Sequence, residues 1–179
     1  LTYRAAADDP TGPEQIVVDP NDEFVYSASS TESGHIRMWT RDTGTGLLTS
    51  AGNFALGDMI PNATGTPVPL DGIREAKAMA VAAASNDDTH IYVAAQHQTE
   101  GGLAAFVRDE ESGELRFLHA YKADDRYCYG GTNEAAACSD DSACPGGACI
   151  ELPVRGAFGV ALNTDAPADL PCALMLTAT

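Results

Sequence analysis

The sequence predicts an all-β fold made of repeated four-stranded antiparallel units. Short segments rich in β-branched and aromatic residues alternate with clusters of Asp, Asn, Gly and Pro, which is the pattern of strands joined by tight turns. An internal repeat carries this pattern twice, and no segment shows a sustained helical period of apolar residues. The chain has 179 residues, of which 44% are hydrophobic, enough to bury a sizeable core.

The clearest match between the two copies of the repeat pairs residues 34–49 with residues 101–116, which align without a gap at an offset of 67. Because a repeated strand pattern is the sequence signature of repeat architectures, this match decides the fold prediction. Five positions are identical, namely Gly34/Gly101, Arg41/Arg108, Asp42/Asp109, Gly46/Gly113 and Leu48/Leu115.

The upstream strands extend the repeat in the same order. Residues 24–28 align with residues 90–94, and residues 16–18 align with residues 79–81 once a three-residue insertion is allowed in the second copy. The last of these segments lies in an alanine-rich stretch, residues 76–84, whose composition also suits a helix. Its alignment with the first copy predicts a strand instead.

Two kinds of turn recur in the copies. The first hairpin turns at residues 19–22 and 85–88, where Asp and Asn side chains can bond their own backbone. The last hairpin turns at residues 42–46 and 109–113, each of which begins with Asp and ends with Gly. Glycine takes positive φ there at no steric cost, so both hairpins are predicted to close tightly.

These repeats predict a β-propeller fragment. Blades of about 40 residues are typical of propellers, and long loops account for the wider spacing here. We expect about two and a half four-stranded antiparallel blades, which leave a ring open, so the isolated fragment should be unstable or associate. The predicted units are a first blade at 14–54, an inter-blade loop at 55–74, a second blade at 75–123, a cysteine-rich insert at 124–155, and the first half of a third blade at 156–179.

Four of the five cysteines, Cys128, Cys138, Cys144 and Cys149, fall in one segment rich in Gly, Asp, Ala and Ser. This density predicts disulfides in a stapled surface loop and an extracellular or periplasmic location, with a recognition knob as the alternative role. Zinc is the alternative chemistry, but the segment has no C-x-x-C pair and no nearby histidine. Cys172 is expected to pair outside this chain or to stay a buried free thiol.

The charge excludes some partners. The chain carries 26 acidic and 10 basic side chains, for a formal charge of -16, and the acidic residues are scattered in pairs. Phosphates would be repelled over most of this surface, so we expect neither nucleic acid nor anionic lipid as a partner. No apolar run approaches the roughly 20 residues that a membrane-spanning helix needs.

The strand and turn residues carry a family resemblance. The first copy reads V-D-P-N-D-E-F-V-Y at residues 18–26, and then has Ile36, Trp39, Arg41-Asp42 and T-G-L-L at residues 45–48. It resembles the lactonase-type (6-phosphogluconolactonase-like) β-propeller family, which implies a seven-bladed ring. An L-D-G lead-in at residues 70–72 fits the same family, whereas residues 86–88 read N-D-D where its turn has Pro-Asp-Gly.

One histidine is a candidate for catalysis. Enzymes of the lactonase-type family act on lactones through His, Arg and Glu side chains at the channel mouth, although the repeat motif specifies blades and not those residues. His97 follows the strand at residues 91–95 and is expected to emerge on the channel face, so His97 and Arg74 are the candidates here. Together with Arg74, Glu75 or Arg155 from neighbouring strand entries, His97 would polarise a lactone carbonyl and activate water. The alternative for His97 is an ordinary loop histidine, and many relatives carry the repeat without known activity.

Three function classes follow. The leading hypothesis is a secreted, non-enzymatic propeller for binding, adhesion or assembly, whose partners are the remaining blades of the propeller or a partner chain, with an extracellular protein or glycan as ligand. The alternatives are a lactonase-like hydrolase or cycloisomerase and a structural subunit of a larger extracellular complex. No cofactor is expected; acidic turns offer oxygen ligands to calcium but lack the spacing of a dedicated loop. Asn62 begins a glycosylation sequon.

Overall fold

The computed structural model describes residues 12–83, 89–97, 101–122, 125–133, 136–151, 157–162 and 174–178. These residues form fourteen strands and one short 3₁₀ helix, which confirms the predicted all-β class. Within the described ranges, no helix has the length and apolar character needed to cross a membrane.

Two four-stranded antiparallel sheets form the body of the protein, and each follows the chain order of its strands. The first sheet contains β1 (Pro13–Val18), β2 (Phe24–Ser29), β3 (His35–Arg41) and β4 (Leu48–Ala55). The second contains β7 (Ala76–Ala83), β8 (Thr89–Ala95), β9 (Gly102–Arg108) and β10 (Leu115–Lys122).

Three two-stranded sheets complete the fold. The first is a hairpin in the connection between the two large sheets, the second holds the cysteine-rich segment, and the third pairs the last two strands. Their strands are β5 (Met59–Pro61) with β6 (Pro67–Pro69), β11 (Arg126–Tyr129) with β12 (Ala148–Glu151), and β13 (Ala157–Leu162) with β14 (Leu174–Ala178); the 3₁₀ helix spans Asp141–Ala143.

The alanine-rich stretch is a strand, as the repeat alignment predicts. Residues 76–83 form β7, which pairs with β8 along its whole length apart from one irregularity between Ala76 and Ala78. Alanine has a high intrinsic helix propensity, but cross-strand packing overrides such preferences of about 1 kcal/mol. Small side chains suit this position because the first sheet packs against it.

One hydrophobic core joins the two large sheets. The strands β2, β8 and β9 are buried over most of their length and β3 over part of it, whereas β1 and β4 are largely exposed. The shared core includes Phe24, Tyr26, Ile36 and Met38 from the first sheet, Met79, Ile91, Val93, Phe106 and Leu115 from the second, and Ile60, Leu70 and Ile73 from the connection.

The last hairpin of each large sheet closes through the same contacts. In both turns the aspartate carboxylate accepts two backbone N–H groups, and the closing glycine has a φ of 77° or 72°. The bonds run to Asp42 Oδ1 from Gly44 (2.9 Å) and Thr45 (2.8 Å), and to Asp109 Oδ1 from Glu111 (3.2 Å) and Ser112 (3.0 Å). The predicted turn chemistry is therefore present twice at equivalent positions.

These two turns give the fold a dependence on pH. Backbone hydrogen bonds, chiefly from Thr45 and from Ser112, hold the pKa of Asp42 and of Asp109 below the usual range. Each lowered pKa means that the unfolded chain binds the proton more readily than the folded chain. The stability that these carboxylates contribute is therefore present above the ordinary aspartate pKa of about 3.9 and is lost as pH falls below it.

We predict that Asp109→Asn reduces the loss of stability between pH 6 and pH 3, because the asparagine oxygen still accepts hydrogen bonds but carries no titrating charge. Urea unfolding at both pH values measures this difference. The matched control is Glu111→Gln, since the Glu111 carboxylate lies exposed on the same turn and makes no hydrogen bond among the described residues. Equal pH dependence in the two variants would contradict the prediction.

Candidate functional site

A buried charge pair links the two large sheets. We use the name sheet-to-sheet contact for this pair and the residues beside it, namely Asp19, Phe24, Tyr26, Arg108 and Gly113. Nη2 of Arg108, from the end of β9, lies 3.5 Å from Oδ2 of Asp19, in the first turn of the other sheet. Both side chains are fully buried. The Asp19 carboxylate also accepts hydrogen bonds from the backbone N–H groups of Glu23 and Phe24, each at 2.8 Å. These bonds within its own turn fix the position of the carboxylate independently of Arg108.

Aromatic residues of β2 complete the sheet-to-sheet contact. The hydroxyl of Tyr26 donates a hydrogen bond to the carbonyl of Gly113 at 2.7 Å, and burial raises the pKa of this tyrosine well above its ordinary value. The guanidinium carbon of Arg108 lies 5.5 Å from the centre of the Phe24 ring. A Cβ atom at residue 113 would overlap that ring, so the glycine is required by its neighbour as well as by its φ.

An open cleft of about 670 Å³ lies between the connecting segment and the outer strand of the second sheet. Its apolar lining comes from residues such as Leu56, Val68 and Phe117. Its polar lining consists of Asp71, Arg74, His119 and Lys122. The cleft thus combines an apolar wall with two permanent cations, one carboxylate and one imidazole.

The charged wall of the cleft contains an ion pair. Nζ of Lys122 lies 2.8 Å from Oδ2 of Asp71, and both side chains are partly exposed. The backbone at Gly72 has a φ of 74° and passes so close to Ala120 that a Cβ there would overlap it. The L-D-G segment singled out in the sequence therefore seats the connecting segment against β10.

The imidazole in the cleft belongs to a hydrogen-bonded chain. Nε2 of His119 lies 2.9 Å from the hydroxyl of Tyr127, which donates to Oδ2 of Asp125 at 3.3 Å. In this arrangement the imidazole donates to the phenol, which leaves Nδ1 as the acceptor nitrogen. Burial, followed by the nearby charge of Asp125, raises the pKa of Tyr127 to about 12, so the phenol stays neutral.

The two candidate catalytic residues stand in different places. Arg74 lines the cleft beside His119, whereas His97 follows the end of β8 and does not belong to the cleft lining. Their backbones are close, since Gln96 donates to the carbonyl of Glu75 at 3.1 Å. Arg155, the other residue named with them, and Cys172 lie outside the described residues.

Asn62, the first residue of the sequon, lies half-buried in the turn between β5 and β6. Its side-chain oxygen accepts the backbone N–H groups of Thr64 (3.0 Å) and Thr66 (2.9 Å) and the hydroxyl of Thr64 (2.8 Å). The amide nitrogen is the atom that glycosylation would modify, and these bonds do not use it.

The cysteine-rich segment contains two interleaved disulfides. Cys128 is bonded to Cys144, and Cys138 is bonded to Cys149, with Cα–Cα distances of 5.3 and 5.9 Å. The sulfur atoms of Cys128, Cys138 and Cys144 lie within 4.8 Å of one another, but disulfide sulfurs offer no thiolate to a metal.

The cystines are themselves the core of this segment. Cys128, Cys144 and Cys149 are buried together, with Cys138 and Ala143 packed against them. The segment contacts the second sheet through aromatic rings: the ring centre of Tyr127 lies 5.3 Å from that of Tyr121 and 6.0 Å from that of His119. The segment is therefore a separate stapled unit seated on β10.

We predict that reduction unfolds the cysteine-rich segment and leaves the two large sheets folded, because disulfides of this loop size contribute about 2–4 kcal/mol and little else forms its core. Trypsin digestion measures this unfolding. In the oxidised protein the Arg126 guanidinium donates hydrogen bonds to the carbonyls of Ser139 and Cys149, so this side chain is not available to the protease. Cleavage after Arg126 should appear upon reduction and remain absent in alkylated but unreduced protein. Simultaneous loss of the far-UV signal of both sheets would contradict the prediction.

Sequence analysis missed several residues of this region. The sequence singled out His97 and Arg74, and it did not single out His119, Tyr127, Asp125 or Lys122. They meet because β11 follows β10 after three residues and its Tyr127 ring contacts the rings of His119 and Tyr121, which no local pattern reports. The sequence did contain one hint of this cluster, because a histidine and a tyrosine flank a short acidic connection.

Comparison with known proteins adds no family assignment: no protein-family model matches the sequence, and no curated protein matches it. The resemblance of the repeat to lactonase-type propellers therefore rests on the residues of this chain.

Proposed function

We propose that this chain is a secreted, non-enzymatic assembly and binding module built from propeller-type repeats. The sheet-to-sheet contact is the observation that carries the proposal. Arg108 and Gly113 belong to the repeated motif at the last hairpin, whereas their partners Asp19 and Tyr26 belong to the first hairpin of the preceding copy. The second repeat thus contacts the first through two residues of the repeated motif, Arg108 and Gly113.

The arrangement of strands supports the same proposal. The first strand of each sheet lies beside the first strand of the next, since β1 contacts β7 and β7 contacts β13. Lys77 on β7 pairs with Glu14 on β1 at 3.1 Å. Sheets that stand side by side in this way can be added one after another, which is how propeller blades surround a channel. The two disulfides fit an oxidising extracellular or periplasmic location.

The mass and oligomeric state of the native protein test this proposal. We expect light scattering, before and after reduction, to find an assembly or a longer chain in which further repeats cover the open sheets. A cooperatively folded monomer of 18.6 kDa at all concentrations would contradict it.

A lactonase-like hydrolase is the second candidate, because Arg74 and His119 line one cleft. The arginine would polarise a lactone carbonyl, and the acceptor nitrogen of the imidazole would take the proton of an attacking water. Lactone hydrolysis by the wild type, lost in His119→Gln but retained in His97→Gln, would favour this enzyme over the assembly module. Absence of hydrolysis in the complete native assembly would exclude it.

A further inference from the structure

The first sheet carries a second copy of the surface that seals the sheet-to-sheet contact. This surface, which we call the Arg41 surface, comprises Arg41, Asp42, Gly46 and Leu48, the positions equivalent to Arg108, Asp109, Gly113 and Leu115. Its turn has the same backbone hydrogen bonds and the same positive φ as its counterpart. The two surfaces therefore share these four residue types and the hydrogen bonds of the turn.

The two copies differ in what covers them. The Arg108 side chain is 0% exposed and that of Arg41 is 26% exposed. Leu115 is 0% exposed, whereas Leu48 is 36% exposed. The first sheet accounts for this difference, because its Asp19–Tyr26 hairpin covers the second copy and no described residue takes that place on the first.

Glycine gives the most direct comparison of the two surfaces. The space beside Gly113 is filled by the ring of Phe24, while nothing lies within 4 Å of a Cβ placed at Gly46. Both glycines have the positive φ that the turn needs, so the backbone does not account for the difference between the filled space at Gly113 and the open space at Gly46. The open space beside Gly46 corresponds to the space beside Gly113 that the Phe24 ring fills.

We propose that the Arg41 surface is a docking site for a β-hairpin of another repeat, with an aspartate in its turn and Phe and Tyr on its second strand, as in residues 19–26 of this chain. This inference rests on the proposed assembly function and names the residues and the partner chemistry that assembly uses. The aspartate pairs with Arg41, the phenylalanine fills the space at Gly46, and the tyrosine donates to the Gly46 carbonyl.

The present partner of Arg41 does not compete strongly with such a hairpin. Arg41 pairs with Asp22 on its own sheet, and the Asp22 side chain is 59% exposed. Exposed ion pairs contribute little because water screens them. Arg108 shows what docking adds, since it contacts the carbonyl of Glu110 on its own turn at 3.4 Å and the buried Asp19 across the interface.

The test inserts a second copy of residues 12–75 between residues 11 and 12 of the full chain. The added sheet then precedes the original first sheet and is joined to it by the same connecting segment that joins the two large sheets. A Leu48→Cys substitution in the original sheet, in a Cys172→Ser background, reports coverage through its rate of reaction with a thiol reagent. We expect this rate to fall about tenfold when the added sheet docks. Asp19→Asn in the added copy alone should restore much of the reactivity.

Leu118→Cys is the matched control, since Leu118 is 39% exposed on β10 and lies outside the Arg41 surface; its reactivity should not change. An added sheet that stays unfolded, or that folds without protecting the Leu48→Cys thiol, overturns the proposal. The native oligomeric state does not enter this test, so it can fail or succeed independently of the assembly function.

Discussion

Asp19→Asn should destabilise the protein by about 3 kcal/mol, because removing one member of a buried ion pair leaves the other charge without compensation. The asparagine oxygen can still accept the backbone N–H groups of Glu23 and Phe24, so the turn itself is preserved. The lost term is the charge opposite Arg108, whose guanidinium is fully buried. Urea unfolding followed by far-UV circular dichroism measures the change.

Asp22→Asn is the control for this prediction. Asp22 lies in the same turn and pairs with Arg41, the repeat-equivalent of Arg108, but this pair is exposed. Asparagine tolerates the positive φ of 64° at residue 22 nearly as well as aspartate does. We therefore expect a cost below about 1 kcal/mol. Equal costs for the two variants would show that Arg108 does not depend on Asp19.

Gly113→Ala should be clearly more destabilising than Gly46→Ala, although the two residues occupy the same position in the repeat. The φ angles are 72° and 77°, so the backbone cost of an alanine, about 1–2 kcal/mol, is shared and cancels in the comparison. Only at residue 113 would the new methyl group overlap the Phe24 ring. We expect an additional cost of about 1–3 kcal/mol from overpacking there.

The Phe24→Leu background checks the cause of that difference. A smaller, more adaptable side chain at residue 24 should reduce the excess cost of Gly113→Ala while leaving the cost of Gly46→Ala unchanged. Thermal unfolding of the four variants gives the comparison. If the excess persisted with leucine at residue 24, the clash across the interface would not be its source.

The strands and turns could be predicted because their causes are local. Alternating turn residues and β-branched segments set the strands, and the Asp42 and Asp109 turns close through bonds within five residues. The strand at residues 76–83 needed one more step, since only the alignment with the first copy outweighed its alanine content. The closure of such sheets into a propeller involves chain beyond these two sheets and remains a proposal.

The contacts between units could not be predicted from the sequence. Arg41 and Arg108 are identical in their local motif, yet one is exposed and the other buried, because burial depends on which sheet stands next to each. The disulfide pairing likewise depends on how β11 and β12 pair, and the four cysteines left three connectivities open. The hydrogen bond between His119 and Tyr127 depends on how the cysteine-rich segment docks on β10.

A double-mutant cycle of Asp19→Asn with Arg108→Met tests most directly whether one repeat recognises the next through this charge pair. Removing both charges together avoids the unpaired charge that each single substitution leaves behind, so the double variant should be less destabilised than the sum of the two. We predict a coupling free energy of about 2 kcal/mol by urea unfolding. Additive costs, with a coupling near zero, would mean that the two sheets do not meet through Asp19 and Arg108.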